Sequence, residues 1–299
     1  MLAALLAAAW AGASTSAHAY CRAAVDTESH GDCVEEPGTP RLQWAPRSCS
    51  TYAFSEDFFA RLPGATEREV RGIFEDAFLA WSAVDCERRP FLVAQSPSSS
   101  STDDVEFLWD EPNESIVTAR TADEWAGAGL DPDAIALTHV FHDPDTGEIY
   151  DVDVQLNTGA GTFAVCDGVC DSGVIDLRNT VAHEAGHYLG LGHSDMSEAT
   201  MAPYARRGDV DKVSLEDDDR AGYCALDLPG FECRGEECSC PPPPVFTRER
   251  PGEASQSAPG CAAATEAPSP ARGALPAQMA ALAVALMLRT RKSRLHRGG

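Results

Sequence analysis

The chain has 299 residues, enough for one sizeable domain with appendages, and a formal net charge of −24. That charge excludes a nucleic-acid partner, because phosphate binding needs a basic face; its plainest consequence is solubility. Eleven cysteines, without the CxxC…CxxC spacing of a zinc ribbon, point to disulfides made in an oxidising compartment.

In chain order, the apolar run Leu2 to Trp10 is followed by small residues and then Ala17-His18-Ala19. This is the pattern of a signal peptide over 1–19, too short for a membrane span, although no Lys or Arg precedes it. A secreted or cell-surface chain starting near Tyr20 is expected. Residues 20 to about 50 carry Cys21, Cys33 and Cys49 among Gly, Pro and polar residues and read as a disulfide-tied loop region. Thr66 and Glu69 form a capping box, and Val70, Ile73, Phe74, Ala77, Phe78 and Trp81 then fall on one face, which predicts a helix from about Thr66 to Val84. Short strands are predicted at Phe91–Ala94, Val105–Trp109, Ala136–Phe141 and Val152–Leu156. A helix, several short strands and a second helix make an α+β domain over 20–228, with helices packed on a mixed sheet. Residues 229–260 are rich in Cys and Pro and read as a linker. The tail, 261–299, holds a ten-residue apolar run, Met279–Leu288, followed by Arg289, Arg291, Lys292, Arg294 and Arg297. The ten cysteines from Cys21 to Cys240 are expected to pair, with Cys166 and Cys170 close enough to bridge a small loop, leaving Cys261 apart.

The chemistry is concentrated in His183-Glu184-Ala185-Gly186-His187-Tyr188-Leu189-Gly190-Leu191-Gly192-His193. On a helix starting near Asp176, His183 and His187 are one turn apart on one face. A catalytic zinc takes three protein ligands and keeps one position open. Gly190 supplies the bend: helices commonly end on a left-handed glycine, and His193 beyond it can reach back. Glu184 is placed as general base, since zinc lowers the pKa of water from ~15.7 towards ~7 and a nearby carboxylate can take the proton. Asp176 and Asp195 are nearby candidates to accept the ring N–H groups. Downstream, Ala199-Thr200-Met201-Ala202-Pro203-Tyr204 stands at Met-turn distance.

At these residues the chain resembles the metzincin proteases, and within them the matrixins. Ser194, the short link to Thr200-Met201-Ala202-Pro203, and Ala77-Phe78-Leu79-Ala80-Trp81-Ser82 are similar to that branch. So are Leu137-Thr138-His139-Val140-Phe141 and Asp217-Asp218-Asp219-Arg220-Ala221-Gly222-Tyr223. The resemblance runs from about Arg41 to Leu226. It implies a twisted mixed sheet with an active-site helix followed by the Met-turn. His183, His187 and His193 would bind one catalytic zinc, with Glu184 as base. Met201 would form the floor beneath the metal, and Pro203 would line the pocket for the residue after the scissile bond. The implied partner is an extended polypeptide on an edge strand, cleaved by a secreted endopeptidase expected to be a monomer.

The chain departs from the family in several places. Pro46-Arg47-Ser48-Cys49 only partly echoes a cysteine switch, and Cys49 is expected in a disulfide. His139 falls where a structural zinc takes a ligand, but Asp153 replaces a usual histidine, so one zinc per chain is expected. Asp143-Pro144-Asp145-Thr146-Gly147-Glu148 offers oxygens to a possible Ca2+, against the simpler reading as an acidic turn. Gly260-Cys261, the apolar run and the basic end are similar to the myxobacterial type of C-terminal surface-sorting tail, which implies attachment to a membrane or the cell surface. Two alternatives stand beside the endopeptidase: a non-catalytic surface binding protein that keeps the fold, and a zinc hydrolase of non-peptide substrates.

Overall fold

The computed structural model describes residues 20–25, 38–44, 49–87, 90–102, 105–111 and 113–229, and the backbone of strands at 245–247, 250–255 and 282–290. In chain order the strands are β1 (Gln43–Trp44), β2 (Cys49–Phe54), β3 (Leu92–Gln95), β4 (Ser115–Arg120), β5 (Ala134–His142), β6 (Glu148–Asn157), β7 (Thr162–Ala164), β8 (Val174–Asp176), β9 (Tyr204–Ala205), β10 (Val245–Thr247), β11 (Arg250–Ser255) and β12 (Leu282–Thr290). The helices are α1 (Glu67–Ser82), α2 (Ala122–Gly127), α3 (Leu177–Leu189) and α4 (Asp217–Ala225).

The main sheet runs β3-β2-β4-β6-β5-β12-β9, with β1 beside β6. Its β3, β2, β4 and β6 are parallel neighbours, whereas β5 runs antiparallel to β6 and to β12. This is the mixed sheet of the expected α+β fold. The hydrophobic core lies between the sheet and the pair α1–α3. The predicted helix forms from Thr66, whose side chain accepts from Glu69 N–H while the Glu69 carboxylate accepts in return. All six residues of its apolar face are buried, each large one contributing roughly 1.5–3 kcal/mol by leaving water. Two indole N–H groups fix α3 to its surroundings: Trp81 Nε1 donates to Ala182 O at 3.0 Å and Trp44 Nε1 to Tyr188 O at 2.9 Å.

Three of the four strand expectations hold within a residue or a few, as β3, β5 and β6. Val105–Trp109 does not form a strand. The Asn113 amide accepts from Leu108 N–H and donates to Leu108 O, both at 2.7 Å, which gives the backbone of Leu108 its partners without a ladder. Phe107 and Trp109 instead pack on Tyr150, with ring centroids 5.3 and 5.6 Å away. Conversely β2, which begins where the expected loop region ends, and β4 have no counterpart among the expected strands. Both lie inside the sheet, buried on both faces, and so lack the alternation that marks a half-exposed strand. Within the expected linker, β10 and β11 pair antiparallel.

Cys86 and Cys224 join the end of α1 to α4, with Cα atoms 5.1 Å apart, and Cys166–Cys170 closes the expected small loop. Cys21 and Cys49 are disulfide-bonded as well. Cys33, Cys233, Cys238, Cys240 and Cys261 lie outside the described residues, as does the expected signal peptide over 1–19. No helix among the described residues is long and apolar enough to cross a membrane.

Candidate metal centre and active site

Helix α3 starts directly after its N-cap Asp176, as expected, and is capped by Gly190 in the left-handed region, φ 107°. There Leu191 N–H donates back to Gly186 O at 3.0 Å, and the chain reverses. The reversal does two things at once. It brings Leu191 O to 2.8 Å from His187 Nδ1, and it returns His193 so that the Nε2 atoms of His187 and His193 stand 3.2 Å apart. Gly190→Ala should therefore lower both stability and metal affinity. A side chain at this φ costs roughly 1–2 kcal/mol, and its Cβ would meet Leu42 O at 3.2 Å. The measurement is the denaturation midpoint with and without metal; an unchanged midpoint would show that the turn carries no strain.

The ligand-capable atoms of His183, His187 and His193 all lie within 4.8 Å of one another, and the three residues are buried. Among the described residues no other group of three or more His, Cys, Asp or Glu is placed to hold a metal. His183 Nδ1 is 2.7 Å from Thr200 O. Since a carbonyl can only accept, the protons of His183 and His187 are on Nδ1 and each Nε2 carries a lone pair. His183 Nε2 is buried without a partner. Two nitrogens bound to tetrahedral zinc at about 2.0–2.1 Å are about 3.3–3.4 Å apart, close to the His187–His193 separation. Burial holds His187 down to about 4 and His183 well below its ordinary value, so both rings are neutral at physiological pH and competent as ligands. The donor set fits a zinc ion.

Glu184 is also buried, and without a metal ion burial pushes its carboxyl up to about 8, against the hydrogen bond from Thr138; a dication held by the neighbouring histidines would favour the charged carboxylate and draw it back down. Thr138 Oγ1, on β5, donates to Glu184 Oε2 at 2.6 Å, while Glu184 Oε1 has no partner. One oxygen is thus held in place and the other is left to act. Met201 lies under α3: a Cβ added to Gly186 would collide with Met201 Sδ and meet Trp81 Cζ2 at 2.9 Å. Pro203 is half-buried immediately before β9.

The Met-turn itself is held by α4. Asp219 accepts from Thr200 N–H at 2.8 Å, Met201 N–H at 3.0 Å and Glu216 N–H at 2.8 Å. Ser194 Oγ donates to Asp218 Oδ2 at 2.6 Å, which anchors the segment after His193. Lys212, pushed down to about 8 by burial, donates to Ala202 O at 2.7 Å and Ala199 O at 3.2 Å. Asp219 thereby positions Thr200, whose carbonyl orients His183. Replacing Asp219 by Ala strands buried N–H donors at about 1–3 kcal/mol each. We expect Asp219→Ala to lose several kcal/mol of stability and to weaken metal binding by about the 10–100-fold typical of an outer partner, with Asp219→Asn intermediate. Equilibrium unfolding and metal titration check this; a variant as stable as the parent would contradict the assignment.

Sequence reasoning missed Thr138, Lys212 and the roles of Asp218 and Asp219. The nominated acceptors also need correction. Asp195 is exposed, and Asp176 accepts instead from Cys166 N–H at 3.1 Å. The ring protons of His183 and His187 go to backbone carbonyls. His139 is paired across the ladder with Asp153, and its Nε2 has no hydrogen-bond partner. In the acidic loop, Asp143 accepts from Asp145 N–H, Thr146 N–H and Tyr150 OH, all at 2.8 Å, as an ordinary turn between β5 and β6.

Comparison with known proteins gives the site its context. The chain is 31% identical over 191 residues to Metalloendoproteinase 2-MMP of Arabidopsis thaliana, covering 62% of this chain and 42% of that protein. It is 28% identical over 158 residues to Matrix metalloproteinase-B of Caenorhabditis elegans, covering 52% and 30%. It is 29% identical over 139 residues to Karilysin of Tannerella forsythia, covering 46% and 25%. The chain thus spans less than half the length of these relatives. The peptidase M10 family profile, Matrixin, matches residues 43–226, more than half of the chain, and the chain belongs to the matrixin family.

Proposed function

We propose that the protein is a zinc-dependent endopeptidase acting outside the cell, with His183, His187 and His193 as zinc ligands and Glu184 as general base. The observation that carries this reading is the free Oε1 of a Glu184 whose other oxygen is fixed by Thr138, on the helix that presents two of three converging imidazoles. Zinc, when bound, supplies Lewis-acid polarisation of a peptide carbonyl and makes water easier to deprotonate. Glu184 Oε1 takes the proton and returns it to the departing amine. Thr138 keeps the carboxylate from rotating away. Met201 closes the floor beneath α3, and Pro203 borders the pocket beside β9. An extended polypeptide is recognised through its backbone by the outer edge of β5. Export is supported by the disulfides, which persist in oxidising compartments. Attachment through the tail rests on sequence pattern, since 261–281 and 291–299 lie outside the described residues.

The test is cleavage of unfolded casein by the purified protein before and after chelation, with metal content measured in parallel. About one zinc per chain, loss of cleavage on chelation and recovery with zinc are expected. Chelator-resistant cleavage would refute the zinc mechanism, and two zinc ions per chain would reveal a second site.

A further inference from the structure

The outer edge of β5 is occupied by a distant part of the same chain. Strand β12 pairs antiparallel with β5 in continuous register from Leu282↔His142 to Leu288↔Ala136. At its far end Arg289 and Thr290 pair parallel with Tyr204 and Ala205 of β9. The partner of Leu286 is Thr138, the residue that holds Glu184. Strand β9 follows directly on Met201 and Pro203. The backbone of β12 therefore runs past the general base and is gripped by both walls of the groove that the proposed activity needs for its substrate. The segment, Leu-Ala-Val-Ala-Leu-Met-Leu-Arg-Thr, is extended and free of acidic residues, which suits it to backbone pairing in such a groove.

We propose that Leu282–Thr290 is an internal occupant of the substrate groove and keeps the enzyme closed to polypeptides until the segment is displaced or cut away. This rests on the reading of the groove as a peptide-binding site. Tethering makes the competition effective. Pro229 and Leu282 are 53 positions apart (282 − 229), a tether that gives a local strand concentration on the order of mM. An external polypeptide at about µM concentration then competes at a disadvantage of about 10³ in concentration. No propeptide thiol is needed, and Cys49 is in a disulfide.

The test uses the full chain carrying Ala285→Pro and Leu286→Pro together. Adjacent residues of an antiparallel strand alternate in which side their N–H faces, so one of the two prolines removes a bond to β5 whatever the pairing phase. Amide hydrogen exchange is read over 134–142, with 115–120 and α1 as controls for an intact fold. Exchange along β5 should accelerate in the variant while the controls stay protected. Cleavage of an extended peptide should show KM falling about 10-fold or more with kcat unchanged, and a synthetic peptide of residues 282–290 should inhibit the variant competitively. A second form, with a site for a sequence-specific protease inserted after Gly260, releases the tail without altering the domain and should behave alike. Equal exchange and equal KM in parent, variant and cut protein would overturn the proposal. If every form were inactive while β5 exchange and peptide binding still responded to the prolines, the peptidase reading would fail and the strand's place in the groove would stand.

Discussion

Glu184→Ala is expected to reduce peptide hydrolysis by at least ~10²–10⁴-fold, the usual contribution of general-base assistance, while about one zinc per chain stays bound. The two effects separate because the carboxylate is not among the converging nitrogen donors. His183 and His187 are oriented by Thr200 O and Leu191 O, contacts that the substitution does not touch. Glu184→Gln is the sharper companion variant: its amide oxygen can still accept from Thr138 Oγ1, but it cannot take a proton. If the Gln variant is as inactive as the Ala variant, the loss belongs to proton transfer and not to a cavity beside β5. Metal content and initial rates on one preparation decide the matter, and near-parental rates for either variant would dismiss Glu184 as the base.

His187→Ala should fail in a different way, losing metal and activity together. Two imidazoles remain, too few for a zinc site with three protein ligands. The change also frees Leu191 O, which the ring now occupies at 2.8 Å, and removes the neighbour of His193 Nε2. The loss of zinc affinity should exceed the about 10–100-fold seen when only an outer partner is removed. Dialysis against a weak chelator followed by metal analysis would show it. A dialysed variant that kept a full complement of zinc would mean that the metal is held elsewhere.

What could be read in advance was what short-range spacing encodes. The turn-apart histidines, the glycine that reverses the chain and the third histidine are a local pattern, as is the capping box of α1 with its apolar face. The same local signature, Thr121 and Glu124, caps α2. The tuning of the site was not readable. Thr200 O and Leu191 O orient the rings, and a backbone carbonyl has no signature in sequence. Asp219 reaches the Met-turn from 18 residues away, so its role exists only once α4 is docked. Strands β2 and β4 are invisible to an alternation test because neither face meets water. The apolar run in the tail has the composition of an anchor, and only the open edge of β5 shows another place for it.

The bond between Cys86 and Cys224 bears on how this molecule ages. It spans 138 positions, and Glu184, the three histidines, Met201 and Pro203 all lie between its ends. With the proposed peptidase activity, molecules at high local density would be exposed to copies of themselves. A single nick anywhere inside that ring, for instance in the surface loop around Val169, leaves both pieces covalently joined and pressed together by the shared core. Nicked molecules would run at full mass on a non-reducing gel and divide only after reduction, and a population could keep working well after its chains had begun to be cut.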